Sequence, residues 1–119
     1  ALEIITRENL VENSRRVGAA MLSRLQAMQE KHRIIGDVRG KGLLLGLELV
    51  KDRRTKELVS KDTTKALFQE CLRRGLVAMS YTPVIRINPP LNIDEATALE
   101  GLDILDEALG AVARERKLA

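Results

Sequence analysis

From Leu43 to Val50 the chain reads Leu-Leu-Leu-Gly-Leu-Glu-Leu-Val, directly after glycines at 40 and 42. Leucine is a good helix former, so the run by itself is compatible with a helix. The flanking glycines and Gly46 at its centre turn the reading to a strand, because glycine weakens helix interiors and marks close backbone approach in sheets. As a strand it places Leu43, Leu45, Leu47 and Leu49 on one face and Leu44, Gly46, Glu48 and Val50 on the other. A wholly aliphatic face must be covered. Tryptophan is absent and Phe68 and Tyr81 are the only aromatics, so aliphatic side chains have to build that cover.

The cover comes from three amphipathic helices. Ala1 to Thr6 reads as the tail of a helix, broken at Arg7-Glu8-Asn9, with Asn9 capping the next one. From there Leu10, Val17, Met21, Leu25 and Met28 recur at three-to-four spacing, with Val11 and Leu22 widening the stripe. Gly18 inside this stripe costs on the order of 1 kcal/mol against alanine, and so marks a close packing contact. Lys31, His32 and Arg33 fall in the last turn, where cations suit the helix dipole. Ser60 or Asp62 caps a second helix, with Leu67, Phe68, Cys71 and Leu72 on its buried face and Gly75 as its C′ residue. Asn92 or Asp94 opens a third, striped by Ala98, Leu102, Leu105, Leu109 and Val112 and supported by Ile104 and Ala108.

Between the helices, Ile34 to Gly42 is turn-rich and Lys51 to Thr55 is a charged turn. Lys56 to Val59 fits neither pattern cleanly. Leu76 to Tyr81 and Val84 to Asn88 read as strands. The order α-β-β-α-β-β-α predicts an α/β two-layer sandwich: a small sheet of about four strands with three helices on one face. The other sheet face, with Leu44, Val50 and Arg86, is left for a partner domain.

At 119 residues the chain is one domain, residues 1–119. Its 20 Lys and Arg against 17 Asp and Glu are interleaved, densest at Lys31-His32-Arg33 and from Lys51 to Lys56. With so few aromatics to stack bases, this pattern argues against a nucleic-acid partner. Cys71 is alone, which excludes an intramolecular disulfide or a cysteine-based metal site and fits a reducing, cytoplasmic setting. No apolar run approaches a membrane span, and the first residues lack the basic region of a signal peptide. Without an initiator methionine, and opening mid-pattern, the chain reads as a piece of something longer.

Most of the chemically suggestive residues have structural readings. Gly36-Asp37-Val38-Arg39-Gly40-Lys41-Gly42 matches neither phosphate-loop spacing and is followed by a strand, so it reads as a tight hairpin requiring positive φ. His32 reads as a helix-end cation, Cys71 as core and Lys61 as a solvated helix start. No nucleophile–base pair and no catalytically spaced carboxylates stand out.

Arg86 is different. It interrupts the apolar strand Val84-Ile85-Arg86-Ile87-Asn88, which Pro89-Pro90 then ends. Burying an unpaired guanidinium costs several kcal/mol, roughly. The residue therefore either makes a salt bridge within the domain, with Glu48 as partner, or reaches water at the sheet edge, or grips an external carboxylate with its two-pronged fork.

The glycine-rich segment running on from Gly36 to Val50, followed by Val84-Ile85-Arg86-Ile87-Asn88-Pro89-Pro90-Leu91, resembles the class III pyridoxal-phosphate aminotransferases, which include 4-aminobutyrate, ornithine and acetylornithine aminotransferases. The resemblance extends over essentially the whole chain. It implies the small C-terminal domain of such an enzyme, with the large pyridoxal-phosphate-binding domain preceding Ala1 and no cofactor residue in this chain. It further implies amino-acid and keto-acid substrates, a homodimer, and a substrate carboxylate held by Arg86. The family's small domain also occurs in amino-acid racemases and epimerases. A stand-alone carboxylate-binding regulatory module is the rival from another class. The fragment reading carries one further expectation, a contiguous apolar patch on the uncovered sheet face.

Overall fold

The structure, a computed structural model, describes residues 2–76 and 83–118. The elements are α1 (Leu2–Lys31), β1 (Ile35–Lys41), β2 (Leu44–Asp52), β3 (Glu57–Leu58), α2 (Lys61–Arg73), β4 (Val84–Ile87) and α3 (Glu95–Glu115). The expected α/β sandwich is present: a four-stranded antiparallel sheet and three helices sharing one core. β2 is the central strand, pairing with β1, β3 and β4. Of the strand expected over Leu76 to Tyr81, Leu76 is described and lies in no strand, and residues 77–81 lie outside those described. No described helix is long and apolar enough to cross a membrane.

The helix stripes are where periodicity put them. Val17, Met21, Leu25 and Met28 of α1 are buried, as are Ala98, Leu102, Leu105, Leu109 and Val112 of α3. They close over Leu45, Leu47, Leu49 and Ile85 of the sheet. Ser60 rather than Asp62 caps α2, accepting from the Thr63 N–H, and Asp94 rather than Asn92 caps α3, accepting from the Thr97 N–H. Gly75 takes the positive φ expected after α2. Cys71 is fully buried, and burial pushes its thiol up to about 11, against a smaller opposing pull from Arg74, so it is inert core.

Several expectations are corrected. α1 runs unbroken through Arg7, Glu8 and Asn9: none of the three lacks an amide hydrogen, so the bonding ladder continues. Val11 is 65% exposed and Leu72 50% exposed. Each lies at the margin of its stripe, where no element crosses over it. The turn-rich reading of Ile34 to Gly42 gives way to a seven-residue strand, with turns only before it, at Arg33 and Ile34, and after it, at Gly42 and Leu43. Glycines at 36 and 40 serve packing there, since a Cβ would meet Val50 at 2.6 Å and Leu45 at 2.3 Å, respectively. Only Gly42 carries the positive φ expected of the hairpin. Val50 is buried rather than facing a partner. It lies beside Gly36, outside the core cluster that the helices share with the sheet.

His32 stands just past the end of α1, as expected, but packed rather than in solvent. It is buried, its Nε2 lies 2.5 Å from Asp106 Oδ1, and Lys31 Nζ reaches the same carboxylate at 3.2 Å. This cluster ties the end of α1 to α3. Burial pushes the Asp106 carboxyl up, but the hydrogen bonds from His32 and Lys31, with their charge, outweigh it and hold the group below the ordinary carboxylate range. A lowered folded-state pKa gives stability that is fully present above the unfolded-state value, about 3.9, and is lost as pH falls through the folded-state value. Asp106→Asn should therefore flatten the acid limb of the stability profile below about pH 4, read by urea denaturation at successive pH values. An acid limb identical to that of the parent sequence would mean that Asp106 contributes nothing to it.

Candidate functional site

The hairpin at Gly42 sets the geometry of the uncovered sheet face. Lys41 pairs with Leu44, so Arg39 stands opposite Gly46, and Gly46 in turn pairs with Arg86 on β4. Arg39, Gly46 and Arg86 thus form one row across three strands. Period-two alternation puts all three on the face away from the helices. Two strand spacings separate the arginine backbones, about 9–10 Å. Gly46 has no side chain to fill the space between them, and its own nearest obstacle is the Ile85 carbonyl at 3.7 Å.

The result is an open depression of about 710 Å³, lined by Arg39, Lys41, Leu44, Gly46, Arg86 and Asn88 among others. Its charges are sorted along the strands. Lys41, Arg39 and Arg86 gather toward the hairpin end, while Asp37 and Glu48, paired in register, lie toward the other. Arg39 is partly neutralised, its Nε donating to Asp37 Oδ2 at 2.6 Å. Arg86 is exposed and makes no hydrogen bond or ion pair among the described residues. The salt bridge to Glu48 is not formed, because register places Glu48 opposite Val84 instead. What remains is a fork that no described residue neutralises, beside a glycine floor, with a second guanidinium across it. Chemically, the donors of this arrangement suit an oxyanion.

Among the described residues the uncovered face carries no contiguous apolar patch. Leu44 and Val84 are exposed on this face, but charged residues separate them. Arg39 and Lys41 escaped the sequence reading because their segment read as a turn; the signal that finds them is a two-residue hairpin at Gly42 followed by simple alternation.

The chain matches the family model for aminotransferase class III over residues 1–109. The chain belongs to the class III aminotransferase family. Relatives include a leucine/methionine racemase from Thermococcus litoralis, 39% identical over 97% of this chain and 26% of the racemase. A taurine–pyruvate aminotransferase from Bilophila wadsworthia is 36% identical over 93% of this chain and 26% of that enzyme. Among solved structures, a PMP-bound aminotransferase from Vibrio fluvialis superposes with a TM-score of 0.84 at 30% identity, covering 95% of this chain and 25% of that one. The chain therefore spans about a quarter of the length of the class III proteins it matches.

Proposed function

We propose that this chain is the small, C-terminal, substrate-gripping domain of a pyridoxal-phosphate-dependent enzyme that moves an amino group from an amino acid or ω-amine to a keto acid. The observation that carries the reading is Arg86, a guanidinium with no partner among the described residues, over the Gly46 floor of the uncovered sheet face. A fork of this kind holds both oxygens of a carboxylate and fixes the substrate's orientation. Donors such as 4-aminobutyrate or ornithine, with 2-oxoglutarate as acceptor, have the carboxylate it needs.

The described residues do not fit the cofactor itself. The glycines from 36 to 42 lie in a strand and hairpin with no helix N-terminus behind them to receive a phosphate. Pyridoxal phosphate belongs to the rest of the parent enzyme, where it carries the amino group between half-reactions. The role of this chain is to bind the anionic end of the substrate and to exclude water from that side.

The 39% identity to a racemase favours a second reading, inversion of an amino acid with no acceptor. Incubating the full-length parent with a single L-amino acid, with and without 2-oxoglutarate, separates the two. Amino transfer requires the keto acid and yields a new amino acid in equal amount. Accumulation of the D-enantiomer without any acceptor would replace transamination by racemisation.

A further inference from the structure

The two densest basic clusters of the sequence meet in space. Arg33 after α1, Lys51, Arg53 and Arg54 at the end of β2, and Lys117 beyond α3 surround a depression of about 270 Å³, with Asp52 at its rim. It lies six residues along β2 from Gly46, roughly 20 Å at the rise of an extended strand, and is separate from the Arg86 face.

Two helices end here, and cations near helix C-termini offset the negative pole of the dipole. Arg53 already serves that purpose for α1. It donates to the carbonyls of Gln29, of His32 at 2.8 Å and of Arg33 at 3.3 Å. The last carbonyls of α3 are taken by backbone: Arg116 N–H donates to Val112, Lys117 N–H to Arg114 and Leu118 N–H to Ala113. Asp52 Oδ1 accepts the Arg54 backbone N–H at 2.8 Å, and Lys51 Nζ lies 3.7 Å from Glu57. The side chains of Arg33, Arg54 and Lys117 are left with no hydrogen bond or ion pair among the described residues.

Three uncompensated like charges around one hollow oppose the compact state. Two guanidinium forks and an ammonium are also the donor set that a multiply charged oxyanion needs. The hollow is slightly smaller than an ordinary ligand pocket of roughly 300–1,000 Å³, which suits a small molecule. We propose that this cleft binds a small phosphorylated anion carrying at least two negative charges, at a site distinct from the one formed by Arg86.

The test is an amide-resolved NMR titration of the 119-residue chain with inorganic pyrophosphate in low-salt buffer. Saturable shifts should centre on Arg33, Lys51 to Arg54 and Lys117. The double variant Arg33→Ala, Arg54→Ala should bind at least about tenfold more weakly, since two charge-assisted contacts are lost. Both side chains are exposed and unbonded, so the remaining amide spectrum should be that of the unsubstituted chain. Four results would each overturn the proposal: no saturation, equal shifts with sodium chloride at matched ionic strength, shifts centred on Gly46 and Arg86, or undiminished affinity in the double variant.

Discussion

Replacing Arg86 by lysine in the full-length parent should lower kcat/KM for the keto-acid half-reaction by about thirtyfold or more, equivalent to about 2 kcal/mol of transition-state stabilisation. The physical reason is geometric. Guanidinium presents parallel donors that match both carboxylate oxygens, whereas an ammonium offers a point charge on a flexible stem. The substrate keeps its attraction to the site but loses the orientation that the reacting centre requires. Arg86 makes no hydrogen bond or ion pair among the described residues and stands in solvent, so the thermal midpoint of the variant should be unchanged. An amine donor without a carboxylate should react at its former rate. Single-turnover kinetics with 2-oxoglutarate and with such an amine separate these outcomes. Undiminished rates with every carboxylate substrate would remove Arg86 from the role proposed for it.

Gly18→Ala should destabilise the chain by about 3 kcal/mol or more, at the severe end of overpacking. A Cβ at this position would lie 2.0 Å from the Gly42 carbonyl oxygen and 2.4 Å from its carbon. Both are backbone atoms of a turn held at φ +58, so no rotamer change relieves the clash. Alanine gains about 1 kcal/mol of helix propensity, which the collision exceeds. Gly40→Ala is the useful contrast. Its Cβ would meet Leu45 Cδ2 at 2.3 Å, the far end of a flexible side chain, and the loss should be smaller. Urea denaturation of the two variants should show a larger midpoint decrease for Gly18→Ala. An unchanged midpoint there would mean that α1 does not rest on the hairpin backbone.

Gly18 also shows how far a sequence can be read. Its cost inside an otherwise strong helix pattern signalled a close contact, and the contact exists. What it touches lies on another element, and local pattern carries no information about that. The same division separates the strands. Leu43 to Val50 was legible because its alternation and composition are local. Ile34 to Gly42 was not, because Gly36 and Gly40 answer to Val50 and Leu45 across the sheet rather than to a turn. Val50 alternates outward in the sequence, and its burial beside Gly36, apart from the shared core, is likewise set by a neighbouring strand.

By itself, the sequence determined the three helix stripes, a pair of capping candidates for each of the last two helices, the central aliphatic strand and the anomalous charge at Arg86. Each follows from periodicity, capping chemistry or the cost of a charge in an apolar run, all of which act over a few residues. Only the tertiary structure decided which groups stand together. It set Arg39 and Arg86 on either side of Gly46, joined His32 to Asp106 across 74 residues, and gathered Arg33, Arg54 and Lys117 around one cleft. Register and helix docking are long-range choices, set by the packing of a shared core, and no local pattern contains them.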